Sequence, residues 1–257
     1  MKLETQLRAK RDRGRKLLVP YITAGVRDDW CNLVRGMADA GADAIEVGIP
    51  FSDPMIDGPI IQHASQMALD RGVTPTSVLD EVRDLDVDVP LVAMTYCNIA
   101  FRSGYQRFAA QLAAAGIDGC IVPDLPLEES WPWCEAADSA GVETVMLAAP
   151  TAPDDRLPLI CQRVRGFVYA VGLVGITGER AELASSSVVI AKRLKAVTDK
   201  PVIVGIGVST PEQAAEVCQV ADGVVVGSAI VRRIVEGAEL DEVLEFVADL
   251  RRGLDYG

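Results

Sequence analysis

Apolar residues gather in eight short runs along the chain: Leu17 to Ile22, Ala44 to Ile49, Leu91 to Thr95, Gly119 to Val122, Glu143 to Leu147, Phe167 to Ala170, Pro201 to Gly205 and Gly223 to Val226. These runs are nearly continuous in Val, Ile and Leu rather than alternating, the pattern of strands covered on both faces of a parallel sheet. Apolar positions at helical spacing follow them, as in Asp28 to Ala40, Gly104 to Ala115, Pro211 to Val220 and Asp241 to Arg251. The junctions are repetitive: Ala40-Gly41-Ala42-Asp43, Ala115-Gly116-Ile117-Asp118, Ala140-Gly141-Val142-Glu143 and Val220-Ala221-Asp222-Gly223 each lead from a helix into an apolar run. Glycine at such a junction is expected to supply the left-handed helix cap.

Eight strand-then-helix alternations in 257 residues point to a closed (β/α)8 TIM barrel, α/β in class, forming a single domain over 1–257 with a short N-terminal helix. No Pro/Gly/Ser linker divides the chain. A doubly wound open sheet is the structural alternative, but no Gly-x-Gly-x-x-Gly follows the first strand. In a barrel the chemistry belongs at the carboxyl ends of the strands, which turns the strand assignments into a search for functional residues.

The second strand contains Glu46 between Ile45 and Val47, so alternation points its carboxyl group into the barrel. A carboxylate there is costly unless it is paired or kept protonated, and either condition shifts its pKa, as a general acid/base requires. A structural ion pair is the competing reading. The loop that follows, Pro50 to Pro59, adds Asp53 and Asp57 among prolines and glycines that stiffen it. Asp57-Gly58-Pro59 also reads as a helix start, which makes Asp57 a candidate N-cap as well as a candidate catalyst.

Past the seventh and eighth strands lie Gly205-Ile206-Gly207-Val208-Ser209-Thr210-Pro211 and Gly227-Ser228-Ala229-Ile230. Glycine beyond a strand and just before a helix allows backbone N–H groups to converge on an anion, and this position is the recurrent phosphate site of such barrels. Gly175-Ile176-Thr177-Gly178, after the sixth strand, is a third candidate contributor.

Composition narrows the chemistry. The formal net charge is −12, which repels a nucleic-acid backbone, and the basic run Arg8 to Lys16 reads as a solvated helix face. No stretch of about 18 apolar residues occurs, and the N-terminus has no apolar signal core; the chain is expected to be cytoplasmic. Cys31, Cys97, Cys120, Cys134, Cys161 and Cys218 are scattered and read as reduced packing residues. Lys2, Lys10, Lys16, Lys192, Lys195 and Lys200 fall in helices or before strands, so a Schiff-base aldolase is disfavoured. His63 is the sole histidine and reads as a surface or packing group, which removes His-rich metal sites; no metal site is expected. Metal-free acid/base chemistry on a phosphorylated substrate remains, with Tyr96 or Tyr169 as a possible phenol.

The string Glu46-Val47-Gly48-Ile49-Pro50-Phe51-Ser52-Asp53-Pro54-Met55-Ile56-Asp57-Gly58-Pro59 resembles the signature of tryptophan synthase alpha subunits. The resemblance continues through Val19 to Gly25, Met94 to Asn98, Val122 to Ser130, Gly175 to Gly178 and Gly227 to Val231. It implies retro-aldol cleavage of indole-3-glycerol phosphate to indole and glyceraldehyde 3-phosphate, with no cofactor in this subunit. On that resemblance Glu46 shuttles protons and Asp57 binds the indole N–H. Phosphate falls to Gly178, Gly205, Gly207, Gly227 and Ser228, beside the hydroxyl donor that Thr177 offers in its Gly-rich loop, while Tyr169 stands near Glu46. Tyr21, Ile61, Met94 and Ile121 line an indole pocket, although each is equally readable as core packing. The resemblance further implies a pyridoxal-phosphate beta subunit in an α2β2 heterotetramer, contacted through Phe51 to Gly58 and Cys97 to Ser103. The loop Gly172-Leu173-Val174-Gly175, where many relatives carry a Ser-Arg pair, and Ile56, where Ala is usual, depart from the family's form and bear on loop closure and subunit coupling. Indole-3-glycerol phosphate synthase and phosphoribosylanthranilate isomerase are rival barrels, but they use a strand-end Lys or a Cys/Asp pair that has no counterpart here.

Overall fold

The computed structural model describes residues 3–172, 180–205 and 207–256. All eight expected strands form: β1 (Leu17–Thr23), β2 (Ile45–Gly48), β3 (Leu91–Met94), β4 (Gly119–Ile121), β5 (Glu143–Ala148), β6 (Val168–Val171), β7 (Val202–Gly205) and β8 (Gly223–Val226). They pair in parallel in sequence order, and β8 returns to β1 to close the barrel. The helices are α1 (Leu3–Arg11), α2 (Trp30–Asp39), α3 (Pro59–Asp70), α4 (Pro75–Arg83), α5 (Cys97–Ser103), α6 (Tyr105–Ala114), α7 (Trp131–Ala140), α8 (Arg156–Arg163), α9 (Arg180–Lys195), α10 (Pro211–Val217), α11 (Ser228–Val235) and α12 (Leu240–Tyr256). The open-sheet alternative is thereby excluded.

Register sorts the strand residues into two sets. Tyr21 of β1 pairs with Glu46 of β2, which pairs with Val92 of β3; one layer further along, Gly48 pairs with Met94, Met94 with Ile121 and Ile121 with Val145. On the other side of the barrel Tyr169 pairs with Ile203, and Val171 with Gly205. Paired residues in a parallel sheet share a face, so these layers fill the interior while Ile45 and Val47 turn to the helices.

The junctions explain how the strands are started. Gly41, Gly116 and Gly141 have φ of 99°, 81° and 77°, the left-handed caps expected from the sequence. Gly223 is a correction: it lacks a positive φ and opens β8 pressed against the Leu17 carbonyl, where a β-carbon has no room. The acidic residue beside each glycine has its own task. Asp43 accepts the Leu18 N–H at 2.9 Å and Asp222 accepts the Val202 N–H at 2.8 Å, each fastening the base of the neighbouring strand.

The amino end of the barrel is closed by α1. Its Leu3 is fully buried against Gly119 and Gly166, and the Glu4 N–H donates to the Glu143 carboxylate at 2.7 Å. The basic run Arg8 to Lys16 is also a correction, because it is not merely a solvated helix face. The helix stops at Arg11, and the charges grip this end: Lys10 and Arg15 reach the buried Asp43 at 3.0 and 2.8 Å, and Arg8 reaches Asp199 at 2.6 Å. With that end plugged, the carboxyl end is where a substrate can enter.

Candidate active site at the barrel mouth

Glu46 is fully buried in the inward layer of β2, and neither carboxyl oxygen has a hydrogen-bond partner among the described residues. The structural ion-pair reading therefore fails. Loss of hydration pushes its pKa up to about 8, so the group is a neutral acid at pH 7. Two tyrosines flank it. Tyr21, paired in register with Glu46, has a hydroxyl 3.3 Å from the Thr23 hydroxyl, and its ring end occupies the space left by the missing side chain of Gly48. Tyr169 is buried, with its ring end against Gly205. Burial, reinforced by the nearby carboxylates, raises both phenols far above their ordinary range, so both stay neutral.

Asp57 lies half-buried in the β2–α3 loop. It does not cap α3: the N-cap is Gly58, without a side-chain cap bond, and Pro59 occupies the first turn. Its Oδ2 instead accepts a hydrogen bond from the Tyr96 hydroxyl at 3.0 Å. Burial raises the Asp57 pKa and the Tyr96 bond works against that rise. Tyr96 sits where β3 passes into α5, and its ring stacks on Phe51 with centroids 4.9 Å apart. The sequence offered Tyr96 only as a possible phenol. The spacing of Tyr96 from the end of β3 was the available signal, but its partner came from a different strand's loop.

The apolar candidates are only partly gathered. Met94 and Ile121 are paired neighbours in the layer just beyond Glu46, level with Gly48 and Val145. Ile61 belongs to α3, on that helix's buried face with Ala64, Ser65 and Ala68, and thus approaches from outside the strands. A cavity of about 350 Å³ opens beside β4 and β5, lined by Val122, Pro123, Val145 and Leu147 among others. None of its lining comes from β1–β3 or β6–β8, so it lies to one side of Glu46 rather than over it.

The phosphate candidates separate. Gly227 is the N-cap of α11 and Ser228 its exposed first residue, so the unpaired N–H groups of that first turn face the barrel mouth side of β8. A β-carbon on Gly227 would meet Tyr21 only at 3.5 Å, so packing does not demand glycine there. Gly207 adopts φ 88°, a left-handed turn. The helix after β7 departs from the expectation: residues 207–210 intervene, and the first turn of α10 is already capped by the Thr210 hydroxyl, which accepts the Gln213 N–H at 3.3 Å. Gly205 has a packing reason of its own in Tyr169. Thr177, Gly178 and Leu173 lie outside the described residues.

The lysines, the histidine and the cysteines are placed as follows. Lys10, Lys16, Lys195 and Lys200 hold Asp43, the Ala221 carbonyl, Asp222 and Glu4 at the amino end of the barrel. His63 is exposed on α3, and all six cysteines are free thiols. Among the described residues no group of three His, Cys, Asp or Glu side chains is placed to hold a metal, and no helix is long and apolar enough to cross a membrane.

A buried neutral carboxyl group and a half-buried second one, both within electrostatic reach of the Tyr21 and Tyr169 phenols, are a reusable arrangement, and relatives decide which lineage built it. The family model for the tryptophan synthase alpha chain matches residues 7–252. The chain belongs to the tryptophan synthase alpha chain family. The tryptophan synthase alpha chain of Streptomyces coelicolor is 44% identical, with 98% of this chain and 96% of the relative covered. That of Thermobifida fusca is 42% identical, with 98% and 97% covered. Among solved structures, the tryptophan synthase subunit alpha of Legionella pneumophila superposes with a TM-score of 0.89 at 34% identity, covering 99% of each chain. A chain of tryptophan synthase from M. tuberculosis, in an aminoacrylate-bound form, superposes with a TM-score of 0.87 at 35% identity, covering 99% of this chain and 100% of that one. The alpha-chain match contains both Glu46 and Asp57, as well as every strand.

Proposed function

We propose that this chain performs the alpha reaction of tryptophan synthase, the retro-aldol cleavage of indole-3-glycerol phosphate to indole and glyceraldehyde 3-phosphate, with Glu46 as acid/base and Asp57 as electrostatic partner. The observation that carries the assignment is the Glu46 carboxyl group, buried in the barrel without a hydrogen-bond partner among the described residues and neutral up to about pH 8.

The chemistry follows from that protonation state. Glu46 delivers its proton to C3 of the indole ring, and the ring nitrogen takes up the positive charge of an indolenine cation. Asp57, ionised, accepts the N–H and stabilises that charge, which it feels strongly in a half-buried site. The Glu46 carboxylate then removes the proton from the hydroxyl on the carbon attached to the ring. The C–O bond becomes C=O, the bond to the indole ring breaks, and its electrons neutralise the cation to give indole. Glu46 ends protonated as it began. The protonated ring is the electron sink, so the step calls on neither a lysine nor a metal ion.

Phosphate binding is assigned to Gly207, Gly227 and Ser228 with the α11 N-terminus, joined by Gly205, Thr177 and Gly178. Tyr21, Met94, Ile121, Ile61 and Tyr169 are assigned to the indole side of the site. We assign the chain a beta-subunit partner in an α2β2 assembly, with pyridoxal phosphate in the partner and none here. The exposure of Met55 (89%), Ile56 (52%) and Phe101 (69%) on the β2–α3 loop and α5 supports a docking face there. Six free cysteines suit the reducing cytoplasm, where we place the protein.

The test is an assay of the purified chain with indole-3-glycerol phosphate, with and without a beta subunit, alongside Glu46→Gln and Asp57→Asn. Weak cleavage alone, stimulation by the partner and loss in both variants are expected. Full activity in Glu46→Gln would sink the assignment.

A further inference from the structure

We infer that Tyr96 is a positioning residue that fixes the Asp57 carboxylate for the reaction, by holding one of its oxygens and both ends of the loop that carries it. The inference rests on the reading of Asp57 as the group that meets the substrate.

Asp57 sits on a loop, and a loop is a poor platform for a group whose placement must hold to within about half an ångström. The loop's own bonds are few: Met55 N–H to the Asp53 carbonyl at 2.9 Å, Asp57 N–H to the Pro54 carbonyl at 3.2 Å and the Ser52 hydroxyl to the Asp53 carboxylate at 2.6 Å, while the Gln62 amide of α3 donates to the Asp57 carbonyl at 2.8 Å and leaves its carboxylate untouched. Tyr96 supplies what is missing at three points. Its hydroxyl donates to Asp57 Oδ2 at 3.0 Å and accepts the Ile56 N–H at 3.2 Å, while its ring stacks on Phe51 at an interplanar angle of 25°. One side chain thus ties the start of the loop to its end.

Tyr96 can do this because its own backbone is fixed. Thr95 before it donates to the Ile121 carbonyl at 3.0 Å, and Cys97 after it donates to the Asp124 carboxylate at 2.8 Å. The residue is 6% exposed, so the loop is fastened to the barrel wall and not to another mobile segment. Among the described residues, Oδ2 is the Asp57 carboxylate oxygen that receives a donor, and Tyr96 supplies it.

The bond also has an electrostatic side. Burial favours the neutral form of Asp57, and the Tyr96 hydroxyl stabilises the anion that the mechanism needs. Among the described residues, the other titratable groups that interact with Asp57 are the phenols of Tyr21 and Tyr169, both neutral; Glu46, which acts on the same two phenols, is protonated at pH 7. None of these competes with Tyr96 as a fixed donor to Asp57.

Tyr96→Phe deletes the hydroxyl and keeps the ring on Phe51. Steady-state cleavage of indole-3-glycerol phosphate is measured against pH for the wild type, Tyr96→Phe, Asp57→Asn and the double variant, with the melting temperature of each. Loss of a hydrogen bond to a charged group should lower kcat/KM on the order of 10- to 100-fold, chiefly through kcat, and move the acid limb of the profile to higher pH. In the Asp57→Asn background the same change should cost less than about 2-fold, since the two residues act as one unit. An equal loss with and without Asp57, or an unmoved acid limb with kcat retained, overturns the positioning role. Wild-type activity in Asp57→Asn alone overturns the reading beneath it, and the positioning role with it.

Discussion

The ring end of Tyr169 stands where a β-carbon on Gly205 would have to be. Tyr169 is on β6 and Gly205 ends β7, and the register puts both on the inward face of the barrel. A tyrosine so close to the reacting carboxyl group is thus possible only because the neighbouring strand gives up a side chain, as Gly48 does for Tyr21. Gly205→Ala should displace the Tyr169 ring and destabilise the fold by about 1–3 kcal/mol, the usual cost of overpacking. Thermal unfolding reads the stability, and the cleavage assay should show a lower kcat. Gly205→Ala with unchanged melting temperature and unchanged kcat would mean that the ring is free to move.

Burial of Glu46 should also be visible in stability. Its folded pKa of about 8 lies above the ordinary glutamate value of 4.5, so the folded state keeps a proton that the unfolded state has lost between those two values. Unfolding free energy therefore falls as pH rises through that window and levels off above it, by about 1.4 kcal/mol per pH unit. Glu46→Gln, neutral at every pH, should match the wild type near pH 4 and exceed it increasingly toward pH 8. Parallel curves for the two proteins across the window would show that Glu46 is hydrated or paired.

Much of this was legible in the chain itself. All eight strands were, since a strand buried on both faces leaves a continuous apolar run that little else produces. Glu46 was legible because a carboxyl group interrupting such a run has few readings. Gly223 shows the limit: its sequence context matches that of Gly41, yet one glycine is needed for a left-handed cap and the other for close approach to the Leu17 carbonyl. Asp57 was ambiguous for a related reason, because the local string Asp-Gly-Pro favours a cap and its actual partner, Tyr96, is 39 residues away. The charges of Arg8 to Lys16 looked like a solvated face because their acceptors, Asp43 and Asp199, come from other elements.

The proposed phosphate site at α11 gives a prediction in which binding and stability move apart. A carboxylate at the first turn of a helix is favourable to the helix dipole, by about 0.3–1 kcal/mol, but repels a phosphate bound there. Ser228→Asp should leave the melting temperature unchanged or higher while raising KM for the phosphorylated substrate. A KM equal to that of the wild type would place the phosphate elsewhere.

The proposed docking face is tested through Phe101, which is 69% exposed on α5 and touches Tyr105 edge-on with centroids 6.1 Å apart. Phe101→Asp should leave cleavage by the isolated chain nearly intact and weaken its stimulation by a beta subunit, raising the partner concentration needed about 10-fold or more, as loss of an aromatic anchor does. A titration of activity against added beta subunit checks this. An unshifted titration would move the docking face away from α5.

The protonation state of Glu46 is the point on which the mechanism turns, because only a neutral carboxyl group can begin by protonating the indole ring. Infrared difference titration of the wild type against Glu46→Gln reads that state directly. A protonated carboxyl band that is absent from the variant and titrates near pH 8 is the expected result. A Glu46 already ionised at about pH 6, within a unit or two of an ordinary glutamate, would contradict it.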